Sequence, residues 1–153
     1  MSKLRDRAVL LLDVRSVKEA LVLLQIHAVA MAVPLVMRLS LPRLGRVVVR
    51  PARRSRRAPH PDPERLRDLV TLAQRTGAPL VRTGCVTRGV TLLWLLRRRG
   101  LDVQLAFGIG GPADDHYGHC WLVRDDRPYL EPNHSDGRFV EQYRIPTTTP
   151  VAR

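Results

Sequence analysis

Lysine is nearly missing from this chain: Lys3 and Lys18 are its only lysines, so the formal net charge of +12 over 153 residues rests on arginine. Such a surface attracts nucleic acid, anionic lipid or an acidic partner and by itself selects none of them. Aromatic residues make up only 5%, which argues against a stacking platform for single-stranded nucleic acid, and no nucleic-acid motif accompanies the charge. Cysteine is confined to Cys85 and Cys120, too few for a disulfide framework and not spaced as a metal-type pair. The charged start, residues 1–7, leads into an apolar stretch that no small-residue cleavage site follows, so no cleavable signal peptide is read there. These absences set the expectation of a reducing, cytoplasmic location in which thiols stay free.

What is present suits one globular domain with an appended element, at 44% hydrophobic content. The appended element begins apolar. Residues 20–37 (ALVLLQIHAVAMAVPLVM) are interrupted only by Gln25, His27 and Pro34, a length at the border of a membrane span. Arginines on both sides give no orientation. The plain expectation is a buried helix pair broken near Pro34. The alternative is an interfacial helix making a peripheral membrane contact, aided by the basic stretch that follows. Residues 43–57 (RLGRVVVRPARRSRR) and the proline-rich 58–64 (APHPDPE) read as a solvated linker, or else as a docking surface for an acidic peptide. The expected organisation is an N-terminal helical arm over 1–57 and a main core over 62–146.

The core opens with a helix that Asp62 can cap, with Pro63 and Glu64 suited to its first turn. Leu66, Leu69, Val70 and Ala73 recur at helical spacing, and Gly77 ends the run. After the short RTG loop comes Cys85, and 86–99 (VTRGVTLLWLLRRR) predicts a second helix, with Val86, Val90, Leu93 and Trp94 as its apolar stripe and Gly100 as its stop. Beyond Gly100 the pattern changes to strands over 103–109, 119–123, 129–131 and 138–145, separated by turn-rich segments. Helices first and a strand meander afterwards predict an α+β domain with an antiparallel sheet.

Cys85 stands where a loop becomes a helix, and the unpaired amides and macrodipole there favour a thiolate. The same helix start offers its backbone N–H to a developing oxyanion. His119 opens an apolar strand, where a neutral imidazole can take a proton and return it to a leaving amine. Strand alternation puts His119, Trp121 and Val123 on one face and Cys120 and Leu122 on the other, so Cys120 is expected to point away from Cys85. Glu131, twelve residues after His119, can reach the second imidazole nitrogen from a neighbouring strand and orient the ring. Asp125, Asp126 and Asp136 compete for that place. A structural reading of each residue stands beside these: a small buried thiol for Cys85, a satisfied histidine for His119, solvated carboxylates for the turn acids.

Zinc is the competing use of this set. His116, His119, Cys85, Cys120, Glu131 and His134 supply ligand types, but His116 and His119 are not four apart on a helix face, and no further paired spacing joins them. No metal and no organic cofactor is therefore expected. The GIGG run at 108–111 follows a strand but opens no helix, so it reads as a turn and not a phosphate loop.

The run from Cys85 to Gly100 (CVTRGVTLLWLLRRRG), then LAFGI, HCWLV and YLEP, resembles the leader-peptidase proteins of lasso-peptide biosynthesis, within the transglutaminase-like group of papain-related folds. That family shows a cysteine opening a helix that ends in an Arg-rich turn and glycine, a strand ending in glycine, and a His-Ala-Trp motif. The resemblance covers about residues 62–145; the arm matches in composition alone. It implies Cys85 as nucleophile, His119 as base and Glu131 in the third, orienting position. Cys120 stands where alanine is usual and Glu131 where aspartate is usual. It further implies hydrolysis of a leader from a ribosomally made precursor peptide through an acyl-thioester. A small leader-binding protein would present the substrate, and an ATP-dependent cyclase would act next. Two other functions fit the same residues: an acyltransferase with an amine acceptor, and a non-catalytic peptide-binding scaffold.

Overall fold

The computed structural model describes residues 16–48, 62–111, 117–131 and 138–146. Helix α1, Val17–Val36, begins at Ser16, whose hydroxyl accepts the Glu19 N–H at 3.2 Å, an N-cap that satisfies an otherwise orphaned amide. The expected break near Pro34 does not occur there. Pro34 lies inside the last turn, and the chain breaks only at 37–40 before the short helix α2, Leu41–Val48. Nor is α1 buried on all sides. Leu23, Ile26, Ala30 and Val33 face inward at spacings of three and four, while Val17, Leu21, Leu24 and Leu35 remain exposed. By length and composition α1 is apolar enough to cross a membrane, yet its inner face belongs to the protein core.

Helix α3, Pro63–Thr76, follows Asp62 as expected, although the Asp62 side chain makes no capping hydrogen bond. Glu19 of α1 receives Arg65 of α3 in a two-pronged ion pair, both contacts at 3.0 Å, which locks the two helices in register. Helix α4, Cys85–Arg98, ends as the sequence predicts. Gly100 has φ 81° and donates to Arg97, and Leu101 donates to Leu96, closing the left-handed glycine cap. The predicted single stripe of α4 understates its burial. Thr87, Thr91, Leu92, Leu95 and Leu96 are also buried, because α4 is packed by α1 and α3 and by the sheet.

The sheet contains β1, Gln104–Gly110; β2, Tyr117–Arg124; β3, Arg127–Tyr129; and β4, Phe139–Ile145, antiparallel in the order β3-β2-β1-β4. Three strands fall where periodicity predicts them. The third falls earlier than the expected 129–131, because Leu130 takes φ 57° and ends the strand before Glu131. Asp125 and Asp126, with φ 51° and 57°, make the two-residue turn between β2 and β3. Leu105, Cys120, Leu122 and Ile145 lie in one core with α4, and residues of α1 and α2 (Leu23, Ile26, Val33, Leu44, Val48) join that same core. Ala106, Trp121 and Val123 pack with Phe139 as a smaller cluster on the opposite face. The protein is thus an α+β fold with helices on one face of a four-stranded antiparallel sheet.

Candidate active site

Cys85 is the first residue of α4, and Gly84 ahead of it has φ 138°, a conformation that a side chain would strain. Gln74 of α3, itself buried, donates to the Gly84 carbonyl at 3.0 Å and fixes this turn from below. The head of α4 is therefore held by α3 as well as by its own helix. One turn further on, a Cβ at Gly89 would fall 2.6 Å from the Leu105 side chain and 3.4 Å from the Cys120 sulfur. Glycine inside a helix costs about 1 kcal/mol relative to alanine. Here it permits β1 and β2 to approach α4 closely, and so brings β2 to Cys85.

That approach places two side chains of β2 at the Cys85 sulfur. Cys120, through its thiol and its main-chain amide, and His119, through its ring and its charge, all favour the ionised Cys85 sulfur, the Cys120 thiol most strongly. Together these outweigh the opposing effect of partial burial and lower the Cys85 pKa to about 4. Cys120 moves the other way. Its hydrogen bond to Cys85 and its burial both push it up, so it stays a protonated donor. The expectation that Cys120 points away from Cys85 is thus corrected. The alternation along β2 is as expected, but the Cys120 face is the one that packs on α4, while the His119 ring lies with Trp121 and Phe139 on the other.

The imidazole is fixed by stacking. The His119 ring lies 4.8 Å from Phe139 and 6.0 Å from Trp121, centre to centre. Trp121 in turn needs Gly108 on β1, where a Cβ would come within 2.7 Å of the indole. The glycines of LAFGI and of the helix are therefore spacing residues whose role sequence reading missed. Their signal was available: a glycine in a strand interior or four residues after the cysteine marks a close approach.

The remaining predicted residues fall elsewhere. Glu131 lies two residues past β3, not on it, and both carboxylate oxygens engage Arg88 at 2.5 Å, one turn along α4 from Cys85. Its described contacts run to Arg88, whereas those of His119 run to Cys85, Trp121 and Phe139. Arg88 was not singled out by sequence reading. Asp125 and Asp126 stand at the opposite end of β2 from His119, about 90% and 89% exposed, with Asp126 engaged by Arg144 at 2.6 Å. Asp136, His116 and His134 lie outside the described residues.

A cavity of about 350 Å³ adjoins Cys85, walled by the last turn of α1, the 82–84 loop and the first turn of α4. The nucleophile candidate thus has a stabilised thiolate, an adjacent imidazole and open space beside it. That combination is the chemistry of acyl transfer to sulfur.

Comparison with known proteins agrees at the level of the fold and the general chemistry. The model of the transglutaminase-like superfamily matches residues 27–144, a span that starts inside α1 and ends in β4. No curated protein and no solved structure gives a match. With more than half of its length under that one family model, and with helices preceding a four-stranded antiparallel sheet, this chain belongs to the transglutaminase-like superfamily.

Proposed function

We propose that this protein is a cysteine peptidase that removes the N-terminal leader from a ribosomally synthesised, lasso-type precursor peptide. The observation that carries the reading is the Cys85 sulfur, held as a thiolate at the head of α4 beside the His119 imidazole. The Cys85 thiolate attacks the scissile carbonyl carbon, and the charge on oxygen is met by the free backbone N–H at the helix start. The carbon–nitrogen bond breaks as His119 gives its proton to the departing amine, leaving an acyl-thioester. Water then attacks the thioester while His119 takes its proton, and the thiolate leaves.

By its order in the chain Glu131 matches the third position that the resemblance implies. Its pairing with Arg88 supports a positioning role, in which it ties the end of the β2–β3 hairpin to the helix that carries Cys85. The partners implied are the precursor peptide, a small leader-binding protein that presents it, and an ATP-dependent cyclase that uses the freed amine. The exposed face of α1 (Val17, Leu21, Leu24, Leu35) is the surface on which a peripheral membrane contact would rest.

Purified protein with precursor and leader-binding partner should release the leader, seen by mass spectrometry. Cleavage by Cys85→Ala at the wild-type rate would refute the reading. The superfamily match favours one second reading, an acyltransferase in which an amine replaces water. Added primary amine then yields an amide adduct in place of the free acid. A non-catalytic scaffold predicts that a thiol reagent leaves Cys85 unmodified at mildly acidic pH.

A further inference from the structure

We infer that the cavity beside Cys85 is the subsite for an apolar side chain on the acyl side of the scissile bond, and that α1 supplies its selecting wall. This deepens the peptidase reading and rests on it. The direction follows from the proton. His119 must hand its proton to the departing amine, so the amine half of the substrate leaves on the sheet side of the sulfur. The acyl half, bonded to that sulfur, must extend the other way. The cavity lies on that other side: Val33 and Pro34 of α1, Met37 just past its end, Arg82 and Thr83 of the loop, and Val86 and Thr87 of α4 line it, and no sheet residue does.

The chemistry of the walls fixes the ligand class. Four of these seven side chains are aliphatic or thioether, Val33 is almost fully buried, and the Arg82 side chain is exposed. A volume of about 350 Å³ is near the small end of ligand sites, room for one or two side chains and not for a long stretch of peptide. Val33 is shared with a second apolar cavity of about 300 Å³ further along α1, bounded by Val36, Val90 and Trp94. Apolar surface thus continues along α1 from the nucleophile. The helix that composition sets apart as an arm is, in this arrangement, a wall of the specificity pocket.

The test uses reagents that carry only acyl-side residues. A peptidyl chloromethyl ketone alkylates Cys85: the sulfur–carbon bond forms, the carbon–chlorine bond breaks and chloride leaves with the electron pair. Acetyl-leucyl and acetyl-aspartyl chloromethyl ketones are compared on the full chain, each rate divided by the iodoacetamide rate on the same protein. Wild type should favour the leucyl reagent at least about tenfold, the range a filled apolar pocket gives. Met37→Trp, which fills the cavity, and the milder Met37→Ala should each lower that ratio by about threefold or more. Equal labelling by the two reagents in wild type, faster labelling by the aspartyl reagent, or a ratio unmoved by both variants would overturn the subsite. Failure of iodoacetamide to alkylate Cys85 would instead overturn the peptidase reading itself, and the subsite with it.

Discussion

Strand β2 carries a packed stretch from His119 to Val123 and leads into a solvated turn. At its start, the His119 ring is wedged between Phe139 and Trp121 beside the Cys85 sulfur, and Cys120 is buried against α4. At its far end, Asp125 and Asp126 stand about 90% and 89% exposed in the hairpin turn. Both ends are rich in groups that could serve chemistry, and sequence reading weighed them together. They differ in what surrounds the charge. A group with fixed partners and little water feels its neighbours strongly, whereas exposed charges are screened.

The hardest way to break the comparison is at the imidazole. His119→Ala should reduce leader cleavage by about 10³-fold or more, since nucleophile and base act as a unit; a loss under tenfold would remove His119 from the mechanism. Gly89→Val comes next. Its side chain would press on Leu105 and Cys120, and displacing β2 by about 1 Å should cost on the order of 10²-fold in kcat/KM, with the fold retained by circular dichroism. Glu131→Gln should lower unfolding stability by about 1–3 kcal/mol. The range is set below that of a fully buried pair because Arg88 is one quarter exposed, and a chemical denaturation midpoint measures it.

Cys120 sharpens the contrast between the ends. The Cys85 thiol ionises near pH 4, so its alkylation by iodoacetamide should rise as pH climbs through about 4 and level off well below the ordinary thiol range. Losing a hydrogen bond to a charged group costs about 1.5–3 kcal/mol, so Cys120→Ala should move that midpoint upward by about one to two units. Cys120→Ser, which keeps a donor, should move it less. At the other end, Asp125→Asn and Asp126→Asn should leave cleavage unchanged and alter stability by no more than about 0.5 kcal/mol. A clear loss of activity from either would mean that the solvated end of β2 takes part in the site.

Periodicity and punctuation made much of the fold legible. The end of α4 at Gly100, three of the four strands and the α+β order all follow from local signals that do not depend on distant residues. The reading failed where a residue's environment is set by something far away in the chain. Pro34 was expected to break the helix, yet the last turn of α1 accommodates it and the break waits for 37–40. Leu130 adopts a left-handed conformation that ends β3 two residues early, and nothing in YLEP announces it. Neither Arg88 nor Gln74 was singled out by sequence reading. Their roles appear only once Glu131 and the Gly84 carbonyl are beside them.

Sequence by itself determined that a cysteine would head a helix and that a histidine would lead into the apolar run of a strand, because capping, glycine stops and strand alternation act over a few residues. Only the tertiary structure decided which face of β2 meets that helix. Gly89 and Gly108 allow the close packing that sets Cys120 as well as His119 against the sulfur, and packing between distant segments has no period to be read along the chain. The same packing turned an apolar N-terminal helix into one wall of the space beside Cys85.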